Sequence, residues 1–439
     1  MNIKQIMQEA GIVGAGGAGF PSYAKFADGA DILLINAAEC EPLLYTDYVI
    51  LTREMSTVLD GARLVADALG AKKIYLGIKS HNAQKLGIQD GDILPCDVIA
   101  RVLPDVYPMG DEISLIYEST GRLVQPGNLP ISQGVVVYNV ETLYNVSRAV
   151  RFEAKLTEKW LTVGGDIETP SVLRVPIGTP LSALFEKLGI TVPETHICMD
   201  GGPSMGRIVN PLQATVTKTT KGILILPREI PAVSMKLREY NRHVTIANSV
   251  CCQCTNCTEM CPRALLGYPL EPHRLVRASR EVARAMPEQF VSALLCCGCG
   301  ICEIAACCQF ISPKAVIAGQ KSILAQEKIR YPQNLPKVEP SEARSSRMVP
   351  SSRWRALLGV SRFHREATYG GKIESDEVSI LTKQHIGASS LPTVHVGDAV
   401  KAGQLIAVAG NGLSIPQHAS IDGQVTFCDE NCIRIQKQV

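Results

Sequence analysis

The chain has 439 residues, 46% of them hydrophobic and 20% charged, with a formal net charge of +2. That is enough length for two to four domains with cores of their own, and a balance that excludes both a strongly basic nucleic-acid binder and a charge-rich disordered chain. No window reaches the roughly 18 apolar residues of a membrane span, and the N-terminal MNIKQIMQEAGIVG lacks the order of a signal peptide, so the chain is expected in the cytoplasm.

At the N-terminus IKQIMQEA reads as a short helix with Ile3, Ile6 and Met7 on one face. The glycine-rich GIVGAGGAGFPSYAKF follows, with Gly14, Gly16 and Gly19 in the order G-x-G-x-x-G and Gly17 between them. A dinucleotide fold places a strand before such glycines. Here a helix precedes them and the strand-like DILLINAAECEP comes after, ending on Asn36, Glu39 and Glu41. Two readings stay open: a glycine turn packed on a strand, or a backbone cradle for a phosphorylated cofactor with Lys25 to neutralise it.

Residues 155–230 alternate β runs, a short helix and glycine turns, as in VGGDIETPSVLRVPIGTPLSALFEKLGI and MDGGPSMGRIV, and by themselves read as a small α+β domain. The next segment holds most of the cysteines. Of 16, five are scattered (Cys40, Cys96, Cys198, Cys428 and Cys432) and eleven lie between Cys251 and Cys308. In a reducing cytoplasm such a density points to metal ligands.

Cys251, Cys254, Cys257 and Cys261, followed by Pro262, have the C-x2-C-x2-C-x3-C-P spacing of a bacterial [4Fe–4S] run. Zinc is the rival, but a zinc site has no use for a third closely spaced thiolate. Cys296, Cys299 and Cys302 repeat the spacing; the next cysteine, Cys307, comes one residue late and Cys308 stands where proline is expected. Cys307 is the expected fourth ligand and Cys308 the alternative. In two-cluster ferredoxin modules the fourth cysteine of each run binds the other cluster. On that logic Cys251, Cys254 and Cys257 join Cys307, Cys296, Cys299 and Cys302 join Cys261, and Cys252 and Cys297 are left as neighbours. Two clusters so held make a relay within a helical, bacterial-ferredoxin-like domain over 231–330.

From 331 to 371 the composition turns to Pro, Ser and Arg, which predicts a linker with a basic helical patch, either solvated or a docking surface. Residues 372–439 carry short strands and Gly-Asp turns and resemble a lipoyl or biotinyl barrel-sandwich. The turn GNGLS has no carrier lysine, so a rigid packing or docking module is expected.

Three separated motifs, GAGGAGFPSYAK, NAAECEP and NVETLYNV, with YPMGDE between the last two, resemble the flavin and NADH site of the complex I flavoprotein subunit. They resemble still more the RnfC family and the PduS-type cobalamin reductases of propanediol-utilising microcompartments. The resemblance implies a multidomain α/β and α+β chain: a Rossmann-like FMN/NADH domain over 1–154, an SLBB β-grasp domain, the 2[4Fe–4S] domain and a C-terminal barrel-sandwich hybrid. It implies that Gly14, Gly16, Gly17, Lys25, Asn36, Glu39, Gly110, Asn139 and Thr142 line FMN, with Cys40 inside the bed. Phe20, Glu41, Tyr107 and Glu112 are implied to face the nicotinamide nucleotide. Two positions depart from the complex I pattern: Ala38 stands for an acidic residue and Asp111 for a glutamate.

Its implied activity is an NADH-dependent reductase: hydride to FMN, single electrons through two [4Fe–4S] clusters, and a corrinoid as acceptor. The implied partners are an adenosyltransferase and a microcompartment shell protein, on which the N-terminal helix could dock if it does not pack on its own domain. A barrel at the C-terminus favours the reductase over RnfC proteins, which carry it at the N-terminus. The alternatives are an RnfC-like component docking on a membrane complex and a non-catalytic iron–sulfur relay with an empty flavin bed. Corrin has no motif of its own here, and the eight histidines do not cluster.

Overall fold

The computed structural model describes residues 2–333 and 335–438. It opens with helix α1 (Ile3–Glu9), whose Met7 is fully buried while Ile3 and Ile6 pack on the same core. That face is therefore spent on its own domain. The chain then passes through β1 (Ile32–Ala37), α2 (Thr46–Leu69), β2 (Lys73–Lys79), α3 (Ser80–Leu86), β3 (Ile93–Leu94), β4 (Val98–Leu103), β5 (Val106–Tyr107), α4 (Glu112–Thr120), β6 (Val135–Asn139) and α5 (Val140–Phe152).

The first sheet has the order β3-β4-β2-β1-β6, with β4, β2, β1 and β6 parallel. ILLINA and VVVYN are near-continuous apolar runs because helices cover both faces of a parallel sheet. Strand order reverses at β1, which has β2 on one side and β6 on the other. In open α/β sheets such a reversal leaves a ligand crevice at the carboxyl ends of the strands.

A second sheet is built from β7 (Glu158–Gly165), β8 (Ser171–Pro176), β9 (His196–Asp200), β10 (Arg207–Val209) and β11 (Gly222–Pro227), with helix α6 (Leu181–Lys187). Its first and last strands, β7 and β11, pair in parallel at the centre, and β8 and β9 flank them antiparallel. Helices then dominate as far as Gln326, the longest being Tyr240–Val250 and Pro313–Gln326. Leu266, Leu275 and Ile317 of this module share a core with Leu115 and Ile116 of α4.

The segment 331–371 is not the free linker that its composition predicts. Val349–Pro350 pairs with β5, and Thr368–Lys372 adds an edge strand to the second sheet. Between them Trp354, on the helix Ser351–Leu358, is fully buried and stacks on Tyr107 at 4.5 Å. Most of the basic side chains face outward from this strap, but Arg344 is buried and pairs with Glu118 at 2.6 Å, a second anchor beside the indole. Beyond it, two small sheets close over Val378, Ile406, Val425 and Ile433. No helix among the described residues is long and apolar enough to cross a membrane.

Candidate functional site

The glycine loop lies against the crevice between β1 and β6. Ala15 donates its backbone N–H to Thr142 Oγ1 at 3.0 Å, tying the loop to the first turn of α5. Gly16 and Gly17 are exposed: a Cβ on Gly16 would meet only Asn139 Cβ at 4.0 Å, and one on Gly17, where φ is +100°, would meet nothing. The loop's far side is clamped. Ile386 donates to the Gly19 carbonyl at 3.0 Å, and the buried Lys218 donates to the Gly11 and Pro416 carbonyls at 2.9 and 3.2 Å. The barrel-sandwich thus acts as packing for the loop, as expected of a module without a carrier lysine.

At the strand ends, Asn36 Nδ2 donates to the Gly110 carbonyl at 3.0 Å, and Asn139 caps α5 through Glu141 N–H while its Nδ2 donates to Asp47 at 2.9 Å. Gly110 must be glycine, since a Cβ there would lie 2.5 Å from the Ala38 carbonyl and 3.1 Å from Cys40 Sγ. Cys40 is therefore packed under the loop, its thiol pushed up to about 12 by burial. Lys25 reaches Glu112 at 3.1 Å and the Val137 carbonyl at 2.8 Å.

Glu39 is the telling residue. Its Oε2 accepts from Asp47 N–H at 3.3 Å, but Oε1 is buried without a hydrogen-bond partner. Burial and the Asp47 carboxylate raise its pKa to about 8, against the pull of Lys221 at 3.7 Å. Lys221 is held 2.5 Å from Asp47. Asp47 and Lys221 escaped the sequence reading because they meet only through the join of the two sheets.

Of the residues assigned to the nicotinamide side, Glu41 has its carboxylate engaged and Tyr107 is closed off. Glu41 accepts from Ser204 and Met205 N–H at 2.9 and 2.8 Å, so a turn of the second sheet has taken its carboxylate. Tyr107 is fully buried, stacked on Trp354, with its hydroxyl donating to the Cys299 carbonyl at 2.6 Å. Phe20 and Glu112 stay partly exposed beside the loop. A cleft opens on the β2 side, lined by Glu39, Cys40, Glu41, Lys79, His81 and Arg355 among others.

The cysteines fall into two cavities, and the runs cross. One is lined by Cys251, Cys254, Cys257 and Cys307, with Cys252 and Cys308 also on its wall. The other is lined by Cys261, Cys296, Cys299 and Cys302, with Cys297. Burial and the neighbouring Cys307, Cys251 and Cys254 push the Cys257 thiol up to about 12, so those four sulfurs crowd one another. Among the described residues no three His, Cys, Asp or Glu side chains converge as they would on one metal ion. A cubane offers an iron to each of four thiolates, which then surround a volume instead of meeting at a point. The donor sets suit that group.

The second cavity abuts the crevice. Tyr107 reaches Cys299 from β5, and Asp111, the N-cap of α4, takes Arg263 at 2.7 Å, both side chains nearly buried. The departure at position 111 thus has a structural use, joining the cysteine module to the first sheet.

Comparison with known proteins agrees with this division. A family described as the Nuo51 FMN-binding domain matches residues 7–148, a 4Fe-4S dicluster domain matches 250–312, and the RnfC barrel sandwich hybrid domain matches 370–439. The chain is 38% identical to Cobalamin reductase PduS of Salmonella typhimurium over 435 residues, 99% of this chain and 96% of that one. Its counterpart in Citrobacter freundii is 37% identical over the same shares. A component of the ion-translocating oxidoreductase complex of Edwardsiella ictaluri is 33% identical over 271 residues, 60% of this chain and 32% of that protein.

Proposed function

We propose, of a chain that belongs to the PduS-type cobalamin reductase family and is an oxidoreductase, that it moves electrons from NADH through FMN and two [4Fe–4S] clusters to a corrinoid. Cob(III)alamin is the first acceptor and cob(I)alamin the product that an adenosyltransferase consumes, in the cytoplasm within a microcompartment. The first sheet is read as Rossmann-like and the second as an SLBB β-grasp. Carriage of the barrel at the C-terminus favours this reading over an RnfC-like component of a membrane complex.

When bound, FMN takes a hydride as an electron pair and releases single electrons, which the thiolate-held clusters carry one at a time. The chain's own residues do the rest. Gly14, Gly16 and Gly17 leave a cradle free of side chains at the N-terminus of α5, and Lys25 supplies a cation for a phosphate. Glu39 holds a proton near neutral pH, and its Oε1, without a hydrogen bond and 3.7 Å from Lys221, is offered to a hydroxyl or ring nitrogen of the flavin. With Tyr107 closed off and the Glu41 carboxylate engaged by Ser204 and Met205, the nicotinamide nucleotide enters past Gly16, Phe20 and Glu112.

The observation that carries the proposal is the join of Tyr107 to Cys299 and of Asp111 to Arg263, which seats the buried cysteine cavity against the flavin side. The Cys251-to-Cys257 cavity, with Cys254 and Cys308 exposed, is then the exit. The test is an anaerobic visible spectrum before and after NADH, with iron, sulfide and acid-released flavin measured on the same sample and cob(III)alamin then added. About eight irons and one FMN per chain, bleached by NADH and recovered with cobalamin, are expected. Clusters without flavin, unmoved by NADH, would mean a relay fed by another protein.

A further inference from the structure

The two cysteine cavities differ in charge as well as in exposure. The exposed one is walled by Gln253, Thr255, His273 and apolar groups, with no lysine or arginine. The buried one is walled by Arg263 and Lys314, and Lys321 Nζ donates to the Cys296 carbonyl at 2.8 Å. Arg263 is committed to Asp111. Lys314 is held over the cysteine turn itself: its Nζ donates to the Ser204 carbonyl at 2.7 Å, lies 3.4 Å from Glu303, and sits 3.6 Å from where a Cβ on Gly300 would be.

Lys314 is the second residue of the helix Pro313–Gln326. A cation in the first turn opposes the helix dipole, so helix stability does not account for it. Burial also works against its charge. What the position offers is a positive charge beside Cys299 and Cys302, where reduction of a cluster adds one negative charge in a low-dielectric site. Burial alone lowers the potential of such a couple, and a nearby cation raises it.

We propose that Lys314 sets the reduction potential of the buried cluster, keeping it able to accept an electron from the flavin side despite its burial, and that Glu303 trims the effect. The couple is [4Fe–4S]2+ to [4Fe–4S]+, one electron and no proton, and the inference rests on the two-cluster reading above. The exposed cluster has water for the same purpose and needs no such residue.

The test is an anaerobic potentiometric titration of the full holoprotein followed by electron paramagnetic resonance, with the exposed cluster's signal identified by its loss in Cys254→Ala. In Lys314→Met the buried couple is expected to fall by at least tenfold in its reduction equilibrium, about 59 mV for one electron, while the exposed couple stays in place. Lys314→Arg should restore it, and Glu303→Gln should move it the opposite way. A buried couple unmoved in Lys314→Met, or both couples moving together, overturns the proposal. If Lys314→Met fails to fold, Glu303→Gln decides alone, and no rise there overturns it. Absence of two cluster signals from the unaltered protein would instead sink the two-cluster reading.

Discussion

The cysteine cavities draw every thiol from one stretch between Cys251 and Cys308, whereas the crevice is walled by segments running from Gly11 through Asp47, Gly110 and Asn139 to Lys221 and Ile386. The difference is one of range. A cluster ligand set is mostly local, so its spacing carries its geometry. A cofactor bed at a strand-order reversal exists only after sheets, strap and barrel have docked. Damage to the first should therefore be confined and chemical, and damage to the second should spread.

The largest effect should come from Cys302→Ala in the buried cavity. About half of the iron and sulfide should be lost, with the four thiols of the exposed cavity left to hold their own cluster. Full retention of iron would remove Cys302 from the ligand set. Next is Trp354→Ala, which empties a fully buried site between Tyr107 and the strap and leaves Ser204 Oγ without the indole N–H at 2.9 Å. A loss of about 3–5 kcal/mol is expected from the urea midpoint of the affected transition. Trp354→Phe, which keeps the stack, should cost only about 1 kcal/mol. Near-neutrality of Trp354→Ala would restore the linker reading.

Gly16→Val separates the crevice as a binding site from the crevice as a fold. Its φ is not in the left-handed region and a Cβ there meets only Asn139 at 4.0 Å, so the thermal midpoint of flavin-free protein should hold. The valine would occupy the cradle, and flavin binding should weaken at least tenfold, about 1.4 kcal/mol, by fluorescence titration. Loss of stability with unchanged flavin affinity would mean the glycines serve packing, the bland reading of the motif.

What the sequence made legible follows the same division. Both cysteine triplets, the helix before the glycines and the strand after them were readable from spacing and periodicity, and the crossed lining of the cavities agrees with the ligand logic of two-cluster modules. Composition gives a linker at the strap because it averages over Trp354, the largest of the buried anchors in SSRWRALL beside Ser351 and Leu358. A lone tryptophan in a polar, helical stretch was the available signal. Asp47, Lys221, Arg263 and Lys314 left no local trace: each is an ordinary charged residue until a partner from another module reaches it. Tyr107 and Glu41 match the motif, yet the strap covers the first and the turn at Ser204 takes the carboxylate of the second.

The sharpest comparison concerns Glu39 Oε1, which accepts no hydrogen bond and meets only the Lys221 ammonium at 3.7 Å. Glu39 has a folded-state pKa near 8, raised by burial and by Asp47, against an ordinary value of 4.5. Between those limits the folded, flavin-free chain binds more protons than the unfolded one, so stability falls as pH rises through the window and levels off above it. Glu39→Gln removes the titrating group and should flatten the thermal midpoint between pH 5 and 8. Flavin should do the same to the unaltered protein by a different route: a donor placed on Oε1 favours the carboxylate, lowers the folded-state pKa and narrows the window. The two flattenings are distinguishable, because in Glu39→Gln further addition of FMN should no longer change the pH slope. If FMN binds yet leaves the slope of the unaltered protein intact, Oε1 does not face the flavin. The crevice would then be a binding site whose buried carboxylate serves the Asp47–Lys221 join between the two sheets.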